Sequence, residues 1–343
     1  MDHKKIENII QADILISELS NKLGTHFRES VTSQLYEWWR NNRLTVRRTW
    51  RGILEPAEVI PYSNSACFLP DDRIQLKKRK SLDSLKIATW NVNSIRIRLP
   101  LILSWLEEQQ ADIVCLQETK TEDHQFPEQE LREAGYSCVY HGQKSYNGVA
   151  ILSKYPFESV QYGFKSRYDT ENKRLLISCI EGINIINVYV PQGQTESSPK
   201  FQYKLEFLDN LIAELDGHFS SDDRVILLGD INIAPDNRDV VSPEAMQNMV
   251  SFHPKEHAII DRFRRWGLTD IYRQFHHEGG LYSWWDFRTC GFEKNEGMRI
   301  DHIWVTDPVA QHCDSCEIDT NNRSQTKPSD HAPVICVVKT NNH

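Results

Sequence analysis

The segment 327–333, Lys-Pro-Ser-Asp-His-Ala-Pro, contains the residues whose chemistry stands out first. Two prolines stiffen the loop around the adjacent Asp330 and His331, and the apolar run 334–338 is typical of a buried strand. Histidine changes charge near neutral pH, and a neighbouring carboxylate can fix its tautomer or stabilise its cation. A single Asp-His pair is usually a surface turn, so the pair gains weight only if other polar residues join it.

Other polar residues occupy the same kind of position, at the ends of apolar runs with the character of strands. Together with His331 they form the set Asn91, Glu118, Tyr189, Asp230, Asn232, Asp301 and His331. Each of them, taken alone, can be explained as a turn or capping residue. Because layered sheets gather strand ends along one edge, we expect this set to converge on one site.

The side-chain types in this set suit metal-assisted hydrolysis of a phosphoester. Carboxylates with few cysteine or histidine neighbours favour magnesium or manganese over zinc. Asp230 and Asn232 lie two residues apart, so in an extended segment they point to the same side and could orient a water and contact a phosphoryl oxygen. His331, with Asp301 or Asp330 as its partner, could stabilise a pentacovalent transition state.

The amino-acid composition indicates how large a folded core the chain can build to position these residues. The chain has 343 residues, 39% of them hydrophobic and 10% aromatic, which suffices for a substantial core in one large domain or two small ones. Residues 1–80 carry 14 Lys and Arg against 10 Asp and Glu, whereas the remainder carries 26 against 38. An acidic body that acts on a polyanion needs basic patches or a divalent cation to offset the repulsion.

Targeting signals and cysteine usage indicate the compartment. No run approaches the roughly 18 apolar residues of a membrane helix, and the first residues resemble neither a signal peptide nor a transit peptide. Cys313 and Cys316 form one CxxC motif without a second half, so buried or idle thiols are a better interpretation than zinc. The sequence therefore predicts a soluble, monomeric intracellular protein, cytoplasmic in a bacterium or nuclear in a eukaryote.

The first 80 residues differ in character from the rest. Residues 3–23 and 31–41 are predicted helices, and tryptophans and arginines are interleaved between positions 38 and 51. Such residues could bind nucleic acid, but we favour a helical appendage that packs its tryptophans against the main body. The run 77–80 is then a basic linker, with a nuclear address as the weaker alternative. The role of residues 1–80 is unknown, and docking of DNA or a protein is open.

From residue 85 onward, short apolar strands and amphipathic helices follow one another without regular alternation. The predicted strands are 86–91, 111–117, 136–140, 148–153, 175–180, 183–190, 224–228, 299–306 and 333–338, and the predicted helices are 96–109, 200–215 and 253–266. Gly182 between two of the strands predicts a hairpin. This order favours a mixed, two-sheet α/β sandwich over a doubly wound sheet, and the sequence has no GxGxxG or GxxxxGK[ST] motif.

Residues 85–343 resemble the exonuclease III branch of the apurinic/apyrimidinic endonuclease family, within the endonuclease–exonuclease–phosphatase superfamily. The matching segments are IATWNVNSIR (87–96), IVCLQETK (113–120), FP (126–127), HGQKSYNGVAILSK (141–154), NVYVPQGQ (187–194), LLGDINIAP (227–235), GLTDIYR (267–273), YSWWDFR (282–288), GMRIDHIWVT (297–306) and KPSDHAP (327–333). LQET and GDxN are shared across the superfamily, whereas GQKxxNGVAIL, YxWxDxR and GxRIDH single out the DNA-repair branch. The resemblance implies a four-layer α/β sandwich of two packed mixed β-sheets flanked by helices, with the small N-terminal helical extension outside it.

The resemblance also implies a metal site. Glu118 would be the principal metal ligand, supported by Asn91, with Asp330 near the metal. Lys120 would neutralise the neighbourhood of Glu118 and Asn93. The implied cofactor is Mg²⁺ or Mn²⁺.

The remaining members of the set would handle the phosphate and the water. Asp230 would position or deprotonate the attacking water, and Asn232 would bind the scissile phosphate. His331, oriented by Asp301, would contact the phosphate, and Tyr189 would lie near the phosphate and the leaving oxygen.

An apolar pocket for a base-free sugar is implied by Trp284, Met298 and Ile300, where Met298 replaces an aromatic residue of some relatives. An abasic deoxyribose has no base to stack, so a tight apolar slot admits it and excludes a normal nucleotide. The residues expected to contact the substrate besides these three are Arg299, Asn147 and Gln192.

The function implied is that of a DNA repair phosphodiesterase, which acts on double-stranded DNA with abasic sites or blocked 3′ ends. It would incise 5′ to abasic sites and trim 3′ ends as a 3′→5′ exonuclease and 3′-phosphatase. One alternative is a lipid or inositol phosphate phosphatase on the same scaffold, against which the YSWWDFR and GMRIDH segments argue. The other is a catalytically silent binding protein, against which the competent residue at every expected catalytic position argues.

Overall fold

The computed structural model of this chain describes residues 83–340. The helices predicted for 3–23 and 31–41, and the basic run 77–80, lie outside the described residues. Among the residues that are described, no helix has both the length and the apolar character that crossing a bilayer requires.

Strands and helices follow one another along the described chain. In chain order the strands are β1 (Ser84–Asn91), β2 (Ile113–Gln117), β3 (Ser137–His141), β4 (Val149–Ser153), β5 (Ser159–Tyr162), β6 (Leu175–Ile180), β7 (Ile183–Tyr189), β8 (Val225–Asp230), β9 (Leu268–Asp270), β10 (Trp284–Trp285), β11 (Gly297–Met298), β12 (Asp301–Thr306), β13 (Cys313–Ile318) and β14 (Val334–Lys339). The helices are α1 (Ile95–Gln109), α2 (Glu128–Glu133), α3 (Pro199–His218), α4 (Pro243–Met246), α5 (Pro254–Trp266), α6 (Ile271–Phe275), α7 (Gly291–Lys294) and α8 (Asp307–Ala310). The longest three, α1, α3 and α5, are those that the sequence predicts.

Local sequence sets the ends of the two longer helices that support the site. Helix α3 begins with a proline after Ser198, whose hydroxyl accepts a hydrogen bond from the Lys200 N–H at 3.2 Å. Helix α5 begins with a capping box between His253 and Glu256 and ends at Gly267, whose φ of 109° suits a glycine. The cap fixes Glu256 at the first turn of α5.

Two six-stranded mixed sheets form the centre of the described part. One sheet has the order β13-β14-β1-β2-β4-β3, and the other has the order β5-β6-β7-β8-β12-β9. The pairs β1–β2 and β7–β8 are parallel, and the other neighbours within the two sheets are antiparallel. The hairpin predicted at Gly182 is the β6–β7 pair, and β10 and β11 form a separate ribbon.

Apolar side chains fill a core between the sheets and one on each outer face. The inner core joins residues of both sheets, such as Ile87, Ile151 and Ile226. One outer face packs against α1 and α2, and the other packs against α3 and α5. The layers therefore run helix, sheet, sheet, helix, and the predicted four-layer sandwich is confirmed.

A polar bridge crosses the inner core close to the strand ends. The Gln117 Nε2 donates to Asn187 Oδ1 at 2.7 Å and to Thr89 Oγ1 at 2.9 Å. The Asn187 Nδ2 in turn donates to the carbonyl oxygens of Ala150 at 2.8 Å and Leu116 at 3.1 Å. Because Gln117 lies in one sheet and Asn187 in the other, these bonds fix the two sheets relative to each other beneath the site.

Candidate active site

The alternation of side chains along the strands explains why the predicted residues converge. In β8, Ile226 and Leu228 point into the core between the sheets, so Asp230 points the same way at the strand end. In β12, Ile303 points inward and Asp301 begins the strand on that side. Asp301 and Asp230 are direct partners across the β8–β12 pair.

Further members of the set reach the same end of the sandwich. Asn91 ends β1, and Tyr189 ends β7 as the parallel partner of Asp230. Glu118 directly follows β2, and His331 lies in the loop before β14. Convergence is therefore a result of register and alternation in both sheets.

Asn91 connects two of the carboxylates. Its Nδ2 donates to Glu118 Oε1 at 3.0 Å and to Asp230 Oδ2 at 2.9 Å. Its Oδ1 accepts the Asn93 N–H at 3.0 Å, which fixes the orientation of the amide. The Asn91 amide thus holds Glu118 and Asp230 together, and its predicted role as a supporting metal ligand stays a prediction.

Glu118 is surrounded by hydrogen-bond donors. The Lys120 Nζ lies 2.6 Å from Glu118 Oε2 and donates to Asn93 Oδ1 at 2.6 Å, and the Tyr189 hydroxyl also donates to Glu118. Burial by itself raises the pKa of Glu118, but Lys120 and the hydrogen bonds outweigh burial and hold the pKa below its ordinary value. Glu118 is therefore ionised at neutral pH.

His331 is held by a buried carboxylate. Its Nδ1 donates to Asp301 Oδ2 at 2.8 Å, and the Ser283 hydroxyl donates to the same oxygen at 2.7 Å. Its Nε2 lies 3.8 Å from Asp230 Oδ2. Burial lowers the pKa of His331, but the charges of Asp301 and Asp230 outweigh burial and raise it above its ordinary value. His331 is therefore a cation that faces the Asp230 carboxylate.

Asp230 is a buried carboxylate at the end of β8, with 1% of its surface exposed. Burial raises the pKa of Asp230; His331 opposes this shift, and Asp301 adds to it. A raised pKa suits a group that must take a proton from water near neutral pH, because a general base works best when its pKa lies near the operating pH.

Asn232 is fixed by its neighbours on both sides. Its backbone N–H donates to Asp230 Oδ1 at 3.0 Å, and its Nδ2 donates to the Val190 carbonyl at 2.9 Å. Its φ of 55° lies in the left-handed region, which is uncommon for residues other than glycine. The loop after β8 therefore presents Asp230 and Asn232 in one fixed arrangement.

Left-handed backbone recurs in the loops of the site. Asn93, Glu118, Lys120 and Asn232 all have φ between 44° and 55°. Backbone bonds stabilise these loops, including Ser94 N–H to the Glu118 carbonyl at 2.7 Å. Such unfavourable conformations persist only where the surrounding structure enforces them, and they cluster at functional sites.

Asp330 links the polar site to an apolar pocket. Its Oδ1 accepts from Asn93 Nδ2 at 2.9 Å, and its Oδ2 accepts from Trp284 Nε1 at 3.2 Å. The backbones of Trp284 and His331 also form a bridge. The position of Trp284 is thus tied to the loop that carries His331.

The predicted pocket residues lie together. Trp284, Met298 and Ile300 share one apolar cluster, in which their neighbours are Ala234, Val240, Met246 and Phe252. Ile300 is also hydrogen-bonded through its carbonyl to the Ile231 N–H at 2.9 Å, next to Asn232. An apolar cluster therefore adjoins the loop that carries Asn232, and its role in substrate binding stays a prediction.

Three further residues were predicted to contact substrate; the structure buries Arg299, while the predictions for Asn147 and Gln192 remain predictions. Arg299 is fully buried, and its guanidinium donates to Asp239 Oδ1 and to Asp270 Oδ2, both at 2.6 Å. The Asp239 and Asp270 carboxylates already occupy the N–H donors of Arg299. Arg299 is therefore a structural residue between the predicted pocket residues Met298 and Ile300. The Asn147 amide donates to Gln143 Oε1 at 2.8 Å and to Asn172 Oδ1 at 3.2 Å. Gln192 is exposed, and its Oε1 accepts a hydrogen bond from the Gln194 N–H at 2.7 Å.

Removal of the Arg299 guanidinium is expected to destabilise the fold strongly. The substitution Arg299→Met leaves Asp239 and Asp270 without their central partner, and breaking a buried pair costs about 3–5 kcal/mol. Urea unfolding followed by circular dichroism measures this change. The control is Arg288→Met, whose side chain is 87% exposed and paired with Asp286, and which should unfold like the wild type. Equal stability of the two variants would contradict the structural role of Arg299.

The donor set fits a hard divalent cation. Four carboxylates, those of Glu118, Asp230, Asp301 and Asp330, lie together with Lys120 and His331, and the Arg98 guanidinium also acts on Asp330 and Glu118. Asp230, Asp301 and His331 have ligand atoms within 4.8 Å of one another, but the His331 Nδ1 is already bound to Asp301. The Glu118 side chain is 16% exposed and therefore the more open carboxylate. Oxygen donors of this kind are the ligands that magnesium and manganese prefer.

Sequence reasoning did not find two residues that support the site. Ser283 donates to Asp301 and also accepts the Ile300 and Asp301 N–H groups, both at 3.0 Å. Lys204 lies on α3 and is fully buried. Lys204 carried a weak signal, because it follows Phe201 by three residues on the apolar side of a predicted amphipathic helix.

Two packed mixed sheets with a carboxylate- and histidine-containing site at their joined ends define a class of α/β-sandwich phosphoester hydrolases. The sequence matches the endonuclease/exonuclease/phosphatase family over residues 88–331. It is 32% identical over 262 residues to the exodeoxyribonuclease III of Haemophilus influenzae, covering 73% of this chain and 98% of that protein. The chain belongs to the endonuclease/exonuclease/phosphatase family and, within it, to the exonuclease III branch of hydrolytic nucleases.

Solved structures agree with this assignment. The AP endonuclease from Archaeoglobus fulgidus superposes with a TM-score of 0.72 at 40% identity, covering 74% of this chain and 99% of that one. The 3′ phosphatase NExo from Neisseria, solved with a product DNA hairpin, gives a TM-score of 0.71 at 37% identity, covering 74% of this chain and 98% of that one. The similarity covers about the part of the chain that the structure describes and leaves the N-terminal extension aside.

Proposed function

We propose that this protein is a DNA repair phosphodiesterase that hydrolyses DNA phosphoesters with magnesium, or manganese, as the cofactor. Its substrates are double-stranded DNA with abasic sites, which it incises on the 5′ side, and blocked 3′ ends, which it trims as a 3′→5′ exonuclease and 3′-phosphatase. The observation that carries the proposal is the buried Asp230, held between Asn91, Asn232 and His331 beside an apolar cluster.

Asp230 takes the proton of the attacking water. The water oxygen forms a bond to phosphorus on the side where Asp230 lies, and the bond from phosphorus to the leaving oxygen breaks. The raised pKa of Asp230 supports this role, because the carboxylate gains enough basicity to accept a proton. Asn91 and the Asn232 N–H orient the two carboxylate oxygens, so the base needs little rearrangement during the reaction.

His331 and Asn232 stabilise the charge that develops on the phosphoryl oxygens. The His331 imidazolium keeps its charge through its bond to Asp301, and the second N–H of the Asn232 amide remains for the phosphate. Burial and the neighbouring Glu118 raise the pKa of Tyr189, which keeps its hydroxyl protonated. With substrate bound, this O–H turns from Glu118 to donate to the leaving oxygen. In each reaction the leaving 3′ oxygen takes a proton and departs as the 3′-hydroxyl of a DNA strand. Where the substrate is a 3′-phosphate, the phosphoryl group is released as inorganic phosphate.

Glu118, with Asp330 nearby, would hold the metal ion. When bound, the ion supplies positive charge that offsets the carboxylates and the anionic phosphate. Lys120 already provides part of this charge at Glu118, at 2.6 Å.

The apolar cluster of Trp284, Met298 and Ile300 selects the sugar without a base. An apolar slot next to the phosphate-binding Asn232 accepts a deoxyribose and offers no partner to the polar edge of a normal base. The Trp284 Nε1 donates to Asp330 Oδ2 at 3.2 Å, so the side chain proposed to contact the sugar is bonded to the loop that carries His331.

Two labelled duplexes test the proposal, one with a single abasic-site analogue and one with a recessed 3′-phosphate, each with magnesium and with chelator. We expect cleavage of the first and phosphate release from the second, both lost with the chelator. Turnover of only the second duplex would retain the mechanism but restrict the protein to 3′-end processing. Absence of turnover on both, with magnesium and with manganese, would contradict the proposal.

Deletion of residues 1–80 is expected to leave basal hydrolysis intact. All residues assigned to the reaction lie between Asn91 and His331. The measurement is kcat of the truncated and full chains on the abasic duplex, with circular dichroism to confirm that the truncated chain is folded. A folded but inactive truncation would show that the extension takes part in the reaction.

A DNA substrate is consistent with the bacterial cytoplasm or the eukaryotic nucleus as the place of action.

A further inference from the structure

A buried lysine lies directly behind the two loops that carry the proposed phosphate-binding groups. The Lys204 side chain is 0% exposed. Its Nζ donates to the Asn232 carbonyl at 2.6 Å and to the Gln192 carbonyl at 3.2 Å, and it pairs with the Glu256 carboxylate on α5. One ammonium group thus joins the loop after β7, the loop after β8 and the first turn of α5.

Helix packing does not explain this buried charge. The contact between α3 and α5 is already made by apolar side chains such as Phe207, Leu211, Ile260 and Phe263. Burial of an ion pair costs desolvation energy, and apolar residues of similar volume are often at least as stabilising. The contacts that an apolar residue could not make are the two bonds to loop carbonyls.

Three hydrogen bonds hold Asn232 in place, and the bond from Lys204 to its carbonyl is one of them. Its N–H is bound to Asp230 and its side-chain amide to Val190, so the bond from Lys204 completes the restraint of the peptide. The left-handed φ of 55° is maintained by this set of bonds. Loss of the Lys204 bond frees the carbonyl end of Asn232 and, through the Asn232 N–H, the orientation of the Asp230 carboxylate.

The other two contacts of Lys204 reach further parts of the site. The Lys204 stem packs beneath Gly193, where a Cβ would lie 3.3 Å from the Lys204 Cδ, so the loop after β7 follows the lysine closely. Glu256 accepts the His253 N–H at 3.0 Å. The preceding Phe252 belongs to the apolar cluster of the proposed sugar pocket. Lys204 therefore connects the phosphate-binding loop with the wall of the pocket.

We propose that Lys204 is a positioning residue for phosphoester hydrolysis, whose ammonium group fixes the Asn232 and Gln192 carbonyls to the first turn of α5 and thereby sets Asp230 and Asn232 relative to the phosphate. This inference rests on the proposed function. Lys204 touches neither the substrate nor the water and acts only through the two loops.

The test is the double substitution Lys204→Met with Glu256→Gln, which removes the charge pair without leaving an unpaired carboxylate. The control is Asp209→Asn with Arg262→Met, which removes an exposed ion pair between the same two helices and touches neither loop. A misplacement of about 1 Å can cost on the order of 10²-fold in rate. We expect a loss of that order in kcat for the Lys204 variant, with KM nearly unchanged, and wild-type kinetics for the control.

A second readout does not depend on activity. Hydrogen–deuterium exchange in peptides covering 190–196 and 230–236 should become faster in the Lys204 variant and remain as in wild type in the control. Wild-type exchange in both peptides, or wild-type kcat, would overturn the proposal. If the wild type itself fails to cleave DNA, the proposed function fails while the exchange experiment still tests the restraint of the loops.

Single substitutions separate the loop contacts from the ion pair, and they decide the question if the double variant does not fold. Glu256→Gln removes the negative charge but retains the bonds from Lys204 to both carbonyls, so we expect a smaller loss of kcat than in the double variant. Lys204→Arg retains the charge, but its planar fork cannot reproduce both bonds, so kcat should fall while the unfolding midpoint is retained. A larger loss in Glu256→Gln than in Lys204→Arg would assign the effect to the ion pair and overturn the role of the carbonyl contacts.

Discussion

The substitution Asp230→Asn is expected to reduce kcat for DNA hydrolysis by about 10²–10⁴-fold, which is the usual contribution of a general base. Asparagine has nearly the same shape, and its oxygen can still accept one of the two bonds that Asp230 receives from Asn91 and the Asn232 N–H. It cannot take the proton of the attacking water. The loss should therefore appear in kcat, while the groups that contact the phosphate remain in place.

Binding and control measurements separate this loss from a structural effect. The affinity of the Asp230→Asn variant for the abasic duplex, measured by fluorescence anisotropy with chelator present, should equal that of the wild type or exceed it, because one buried negative charge is removed. The control is Asp261→Asn, an exposed residue of α5 that should keep wild-type kcat. Turnover of Asp230→Asn within a few-fold of wild type would remove Asp230 from the role of base.

The second large effect is expected for Glu118→Gln. Neutralisation of Glu118 removes the carboxylate proposed as the principal metal ligand and leaves the Lys120 ammonium without its partner at 2.6 Å. A bound metal ion contributes several kcal/mol of charge stabilisation, and each 1.36 kcal/mol is tenfold in rate. We expect kcat at fixed magnesium to fall by at least about 10²-fold, with part of the loss regained as magnesium is raised.

A magnesium titration of kcat distinguishes a metal ligand from a structural residue. The wild type and the control Glu130→Gln, an exposed position on α2, should saturate at the same magnesium concentration. Glu118→Gln should require more magnesium. An unchanged magnesium dependence in Glu118→Gln, with only the maximal rate reduced, would indicate that the ion binds elsewhere, and the cluster of Asp230, Asp301 and His331 would become the leading candidate.

The site could be predicted from sequence because its residues occupy one kind of local position. Asp230, Asp301 and Tyr189 terminate apolar strands, and strand termini are visible as the point where apolar alternation stops. The sheet fold was equally accessible, since β1, β7 and β8 are central strands with strong apolar patterns. What made the prediction specific was the family resemblance, which assigned a role to each polar terminus.

Three of the four edge strands of the two six-stranded sheets gave little signal. β5, β9 and β13 were not predicted, and β5 and β13 contain partly exposed residues at most positions. Both lie at sheet edges, where only one neighbour constrains the sequence and one side is accessible to water. Cys313 and Cys316 of β13, considered first as half of a metal motif, are free thiols within this strand.

Long-range polar partners were also beyond the sequence. Arg299 was predicted to contact substrate, whereas the structure buries it between two carboxylates. Its partners Asp239 and Asp270 lie 60 and 29 residues away along the chain, and no local pattern connects them. Lys204 is similar, since its bond to the Asn232 carbonyl spans 28 residues and involves backbone that any sequence would offer.

The alternation of side chains along β8 determines which changes in length the chain can tolerate. One residue inserted between Leu228 and Asp230 would turn the Asp230 carboxylate to the other face of the sheet, towards α3. The residue before it would then point to the place that the carboxylate now occupies. Two inserted residues would restore the face but move the carboxylate by about 7 Å along the strand, away from its partner Asp301. Insertions and deletions are therefore expected to accumulate in the loops between helices and strands, whereas the spacing within β8 should stay constant among active relatives.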